Sequence, residues 1–568
     1  MKFNDMPYVR PDKDEVLNAL AQFTQQMLEA QTFDQADAVF QAQDAYAGTI
    51  ETQSTLASIR HSIDTRDEFY AAESDWWDET LPLLNEGTNA FEKALYDCPF
   101  RAEFEEKYGK VVFTNIALSL QSFSPEIIPE MQQENALVTE YDKLIASAQI
   151  EFEGSTYTVA QMEPMRQDPD DTRRHAAWVA TGQWFGEKTP ELDRIYDQLV
   201  ALRTTMGQKL GFENYTGLGY CRLTRNCYDQ TDVEKFRQSV QKYLVPLADK
   251  ICRQQAQRLG VAYPMSYADQ SLMFRSGNPI PQGTAQDILA QGKKFYHDLS
   301  PETAQFIDFM TDNELMDLLA RPGKQAGGYC TDLPDYKAPF IFANFNGTQS
   351  DVETVTHEAG HAFAAYTARD IVPHSCHWPT MEGCEVHSMS MEFFAWPWAE
   401  GFFGPDTNKF LYSHLASALT FIPYGTMVDH FQHEVYANPA MTPDQRIDLW
   451  RRLTALYMPW IQLDDGIPFF SEGRYWQRQI HIYQSPFYYI DYCLAQTMAL
   501  YFWAEIQKDL PTAWQSYYRY TKMAGTYPFT ELLDRAGLPT PFDEITLRSV
   551  CEKAAQWLDS FDLSAIAG

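Results

Sequence analysis

Apolar residues recur at intervals of three and four along the first part of the chain. Leu17, Leu20, Phe23 and Met27 form one such series, and long stretches between Asp12 and Gln149 lack Gly and Pro. This spacing predicts helices through nearly all of 12–149. From Ile150 to Val159 the period changes to alternation around Gly154-Ser155, which predicts a β-hairpin. Asp168-Pro169-Asp170-Asp171 opens a further helix, and helical spacing continues to about Gly260. A turn-rich stretch with Gly277, Pro279, Pro281 and Gly283 follows. Two short strands are expected at Gly327–Thr331 and Pro339–Phe345. Val352, Val355, Ala359, Ala362 and Phe363 then return to helical spacing. The helix they predict runs from about 351 to Arg369, with Ser350 as N-cap and Glu353 completing a capping box. Ser485 and Pro486 read as N-cap and first residue of another helix, rich in tyrosine. The pattern describes a mainly α protein with a small β-sheet beside the helix that starts near 351. A soft boundary is expected near residue 170, giving an N-terminal helical lobe at 1–170 and a second region at 171–568.

Length and composition narrow the class. A chain of 568 residues can bury a large core and divide into two lobes. It carries 44 basic and 78 acidic residues, a net charge of −34. Such a charge repels nucleic acid, and no basic cluster offers a phosphate footprint. It suits solubility, and acids lining a cavity would also attract cationic peptides. Residues 1–16 are polar, without the apolar core of an export signal, and no run of about 18 apolar residues suggests a membrane span. The nine scattered cysteines then fit a cytoplasmic protein with reduced thiols.

The candidate chemistry lies at His357-Glu358-Ala359-Gly360-His361. Two histidines four apart share one face of a helix. Neutral imidazoles suit Zn²⁺ and leave room for a third protein ligand and a water. Glu358 is offset along the same turn, placed to take a proton from that water without being a ligand. Gly360 costs about 1 kcal/mol against alanine in a helix; it would allow another backbone to come close. A third ligand should be an acid on a neighbouring helix, and Glu382, Glu385 and Glu392 are the candidates. Glu385 and Glu392 are seven apart, on one face of a helix stopped before Pro397. With Glu385 as ligand, Glu392 would hold the far ring nitrogen of a metal-bound imidazole. Glu382, one turn earlier, is its rival. His374, Cys376, His377, Cys384 and His387 lack the paired spacings of a structural zinc site. His481, Tyr488 and Tyr492 are candidates to donate hydrogen bonds to an oxyanion. Tyr489 could stand in for Tyr488.

The H-E-x-G-H sequence followed by a helix of pattern E-x-x-S-x-x-x-E resembles the thimet oligopeptidase family of zinc peptidases, in its oligoendopeptidase F and Pz-peptidase branch. Gly327-Gly328-Tyr329-Cys330 and the segment from Pro339 to Thr348 resemble the approach to the family's zinc helix. His481-Ile482-Tyr483 and the segment from Pro486 to Tyr492 resemble its substrate-binding His/Tyr region. Tyr8 to Asp12 and Leu210 to Tyr215 match as well, so the likeness spans nearly the whole chain. The spacing of the tyrosines after His481 departs from that of other members.

The resemblance favours Glu385 over Glu382 as third ligand of a single Zn²⁺. It implies two helical lobes enclosing a deep substrate channel, open to short unstructured peptides and closed to folded proteins. It also implies that substrate main chain pairs with the small sheet, expected here at Pro339–Phe345. The reading is therefore a zinc endopeptidase of oligopeptides, with Glu358 as base. One alternative is a carboxydipeptidase on the same zinc site, which would need a cation for the terminal carboxylate. The other is a peptide-binding protein without catalysis. Neither nucleic acid nor membrane is an expected partner, and oligomeric state is not legible.

Overall fold

The computed structural model describes residues 1–566 other than Pro322, Ala326 and Asn346. Asn346, part of the segment 339–348 noted above, lies outside the described residues. Among the described residues the fold is mainly α, with five strands in two small sheets. Helices occupy the N-terminal region as its spacing predicts: Lys13–Glu29, Phe33–Ile63, Glu68–Tyr96, Arg101–Tyr108, Lys110–Ser122 and Ile128–Ala146. Local capping explains several starts. Asp12 accepts from the backbone N–H groups of Asp14 and Glu15, and Asp170 from that of Arg173, each quenching a donor no helical carbonyl can reach.

Strands β1 (Ile150–Phe152) and β2 (Ser155–Tyr157) form the expected hairpin. Its turn is Glu153-Gly154 rather than Gly154-Ser155, with φ of 49° and 77°. Two left-handed residues match the twist of a two-residue hairpin loop, and Ser155 pairs with Phe152.

The second sheet has three strands where two were expected. β3 (Met316–Leu319) runs parallel to β5 (Ala338–Phe345), and β4 (Tyr329–Leu333) runs antiparallel to it, in the order β3-β5-β4. The strand expected to receive substrate main chain is thus the central one. Both sides of β5 are hydrogen-bonded to neighbours, and nearly all its side chains are buried. Of the two edges, β4 is the one beside the His357–His361 helix.

The chain divides into two compact units. The first comprises 1–121, 280–404 and 505–540; the second comprises 122–279, 405–504 and 541–568. The expected boundary near 170 falls inside the second. In the first unit one core joins distant parts of the sequence. Met27, Phe40, Phe91, Phe104, Val111 and Phe113 of the N-terminal helices pack with Cys376, which follows the His357–His361 helix. Among the described residues no single helix is long and apolar enough to cross a membrane. None of the nine cysteines is in a disulfide.

Candidate metal centre and associated residues

His357, Glu358 and His361 lie on the helix Gln349–Ala368, in the first unit. Its N-cap is Thr348 rather than Ser350, and the Thr348 side chain makes no capping hydrogen bond. Ser350 is already inside the first turn. Glu353 does not close a box onto the cap; it accepts from Gln349 Nε2 at 2.6 Å. The first turn is tied down by Asp351, whose Oδ2 accepts from the Gly347 N–H at 2.6 Å.

The next helix, Met381–Phe394, carries Glu382, Glu385 and Glu392. It crosses the first at Gly360. A methyl group on Gly360 would lie 2.7 Å from Ser388 Cα and 2.8 Å from the His387 carbonyl oxygen. Glycine is required there because two helix backbones nearly touch. That approach brings Glu385 onto the histidines. Its Oε2 lies 3.4 Å from His357 Nε2 and 3.5 Å from His361 Nε2. One donor atom from each of His357, His361 and Glu385 lies within 4.8 Å of the other two. Among the described residues this is the one group of three or more such side chains. Two imidazole nitrogens and a carboxylate oxygen that converge in this way are the donor set of a catalytic zinc site. The residues fit the ion that the motif implies.

The surroundings hold these donors in place. Glu392 Oε1 lies 2.7 Å from His357 Nδ1, which leaves Nε2 facing the site. Ser388 Oγ donates to Glu385 Oε2 at 2.9 Å. His361 packs against the Trp378 indole, ring centres 6.4 Å apart, and Trp378 Nε1 donates to Asp332 Oδ1 on β4 at 2.9 Å. Sequence reasoning did not single out Trp378 or Asp332, because a lone Trp and a lone Asp carry no spacing signal. Glu382 is buried and accepts from Thr380 Oγ1 at 2.5 Å; it is not part of the donor group.

Charge balance follows from this geometry. Burial opposes a charged His357, but the hydrogen bonds that Glu385 and Glu392 accept from it outweigh burial and hold the imidazole well above its ordinary pKa. Burial likewise opposes a charged Glu385, yet His361 and His357 hold it well below the usual carboxylate range. Glu358 is raised by burial, against the lowering pull of His357 and His361. Its Oε1 faces the start of β4: a methyl group on Gly328 would lie 3.7 Å from it.

Glu392→Ala is expected to weaken zinc affinity or turnover by about 10–100-fold without emptying a zinc-saturated site. Zinc titration and steady-state kinetics of the variant check this. Unchanged values would leave Glu392 an ordinary helix acid.

His481, Tyr488 and Tyr492 lie in the second unit and are brought together there. His481 is on the short helix Ile480–Gln484, and Ser485 is its C-cap, not the N-cap of the next helix. That next helix starts at Tyr489, so Tyr488 precedes it. The turn between them strains Phe487 to a φ of 69°. Its N–H donates to Gln432 Oε1 at 3.0 Å, and its carbonyl accepts from buried Arg225. The aromatic cluster forms nonetheless. The His481 ring lies 5.7 Å from Tyr488, 4.9 Å from Tyr489 and 5.7 Å from Tyr492. Gln479 Nε2 lies 2.8 Å from His481 Nδ1, and Gln479 Oε1 accepts from the Tyr424 hydroxyl at 2.7 Å. With Nδ1 as acceptor, the ring proton sits on Nε2.

Residues 3–123 match the family model described as the peptidase M3 N-terminal domain, and residues 303–551 the one described as peptidase family M3. A solved structure provisionally named oligoendopeptidase F is 44% identical over 99% of both chains, with a TM-score of 0.94. A PZ peptidase A solved with an inhibitor is 43% identical over 99% of this chain and 100% of its own, TM-score 0.94. A Bacillus anthracis protein, also provisionally named oligoendopeptidase F, is 40% identical over 99% of both chains, TM-score 0.90. A comparison with curated proteins found no match.

Proposed function

The chain belongs to peptidase family M3, alongside oligoendopeptidase F and PZ peptidase, and is a metallopeptidase; from that premise we propose that it is a zinc endopeptidase of short, unstructured peptides. The observation that carries this reading is the convergence of His357, His361 and Glu385 within 4.8 Å, with Glu358 on the same helical turn. Zn²⁺ held by these three residues would polarise the scissile carbonyl and make a water acidic enough to attack it. Glu358 takes the proton from the attacking water and delivers it to the departing amine nitrogen. Its environment suits both halves. Burial favours the protonated form, and the two histidines favour the ionised one. Glu392 keeps the His357 ring turned with Nε2 toward the site. His481, through Nε2–H, and Tyr488 or Tyr492, through a phenol, donate to the oxyanion that forms on the carbonyl.

Substrate main chain would pair with β4, the free edge whose first residues pass Glu358, rather than with β5. Pairing through backbone groups reads few side chains, so cleavage should tolerate many sequences. Cleavage of a mixed peptide library, followed by mass spectrometry, tests the reading. Internal cuts at varied sequences are expected. Release of dipeptides from C-termini alone would instead identify a carboxydipeptidase on the same residues.

A further inference from the structure

His481 stands in a wall of half-buried tyrosines, and that wall contains a cation. Arg478 lies in the short turn Tyr475–Arg478, three residues before His481, and is half-buried. Its Nη1 donates to the Tyr475 hydroxyl at 2.7 Å, with the Tyr475 ring centre 5.5 Å from Cζ. The Tyr475 phenol, outweighing the cost of burial, keeps the guanidinium firmly charged. The carboxylate that also acts on this charge, Glu163, is engaged elsewhere. One of its oxygens pairs with Arg166, and the other accepts from Gln167 Nε2 at 2.9 Å. Glu163 is thus paired with Arg166 and acts on Arg478 only from beyond ion-pair distance.

Buried arginines of the same unit form ion pairs instead. Arg174 pairs with Asp171 and Asp269, Arg203 with Glu134, and Arg225 with Asp491. Each also donates to backbone carbonyls. A buried charge is ordinarily compensated in that way. Arg478 has one neutral acceptor and no ion pair among the described residues. It is also continuous with the His481 surface. Gln479, the next residue, contacts His481 Nδ1, and Tyr489 both packs on the His481 ring and acts on the charge of Arg478.

We propose that Arg478 receives a carboxylate of the peptide substrate, close to the bond that is cut. The planar guanidinium can take a carboxylate through two parallel hydrogen bonds. The Tyr475 oxygen accepts from Arg478, so its own hydrogen is free to reach the same carboxylate. The inference rests on His481 acting at the scissile carbonyl. A three-residue separation along a tight turn then puts Arg478 opposite a residue near the cut, since an extended peptide advances about 3.3 Å per residue. The carboxylate is either the substrate's C-terminus or an acidic side chain flanking the cut.

Matched peptides separate these sources in the zinc-loaded enzyme. One pair differs as C-terminal acid against amide; the others exchange Glu for Gln at each position flanking the cut. Measurements at high salt screen the field of the −34 net charge. The carboxylate member of at least one pair should show kcat/KM higher by about 10–100-fold. That arm identifies the source. In Arg478→Met the ratio should fall to near unity, and in Arg478→Lys to an intermediate value, because a point charge loses the paired hydrogen bonds. Absence of any preference in the wild type overturns the proposal. So does a preference that survives Arg478→Met in protein with full metal content. Should Arg478→Met not fold, an undiminished ratio in Arg478→Lys counts against it equally. His481→Gln is measured alongside. If its kcat is unchanged, the role given to His481 fails, whereas the acid-to-amide and Glu-to-Gln ratios judge Arg478 independently.

Discussion

Glu358→Gln protein is expected to bind zinc normally and to lose nearly all turnover. The carboxylate is no closer party to the donor group than its position on the same turn: His357, His361 and Glu385 converge without it. Glutamine has the same shape and makes comparable van der Waals contacts with the start of β4. What it lacks is the ability to accept a proton. Acid–base assistance of this kind is worth about 10²–10⁴-fold, or about 3–5 kcal/mol of barrier. The loss should appear in kcat, with zinc content and peptide affinity close to wild type. An inactive but metal-free variant would mean that Glu358 helps hold the ion. Near-normal turnover in a metal-replete variant would sink the assigned mechanism.

The parts of this fold that were legible in the sequence are those set by local periodicity. The two helices that carry the candidate metal ligands follow from spacing of three and four, and Gly360 was legible as a place for close approach. The errors lie where a few residues are decided by tertiary partners. Ser350 has a good N-cap side chain, but the helix begins two residues earlier, because Asp351 is drawn to the Gly347 N–H. Ser485-Pro486 has the chemistry of a helix start, yet Gln432 and Arg225, remote in sequence, hold Phe487 in a left-handed conformation and delay the helix to Tyr489. β3 is four residues long with a mixed burial pattern, too short to show a period. Missing it made β5 look like an edge. The interleaved units were beyond reach for the same reason. Nothing in the sequence of the N-terminal helices says that they share a core with Cys376. Arg478 illustrates the limit for function: a single arginine has no motif, and its lack of a carboxylate partner exists only in three dimensions.

Glu385→Ala is expected to empty the metal site, and Glu382→Ala to leave it filled. Both acids are buried on the same helix, three residues apart, so sequence spacing alone could not choose between them. The crossing at Gly360 favours Glu385. The helices touch at His387 and Ser388, and Glu385 and Glu392 flank that point by one turn on either side. Glu382 is about 4.5 Å further along the axis. It is occupied by the Thr380 hydroxyl, whereas Glu385 Oε2 faces both imidazole Nε2 atoms and takes a hydrogen bond from Ser388. Removing one of three protein ligands should cost far more affinity than the 10–100-fold or so expected at Glu392. Zinc content after dialysis, measured beside the wild type, reads this directly. Because Glu382 is buried, its alanine variant could lose metal merely by loosening the helix. Glu382→Gln preserves its shape and should keep full zinc content, whereas Glu385→Gln, with a weaker neutral oxygen donor, should not. Zinc lost from Glu382→Gln and retained in Glu385→Gln would place the third ligand one turn earlier and overturn the assignment.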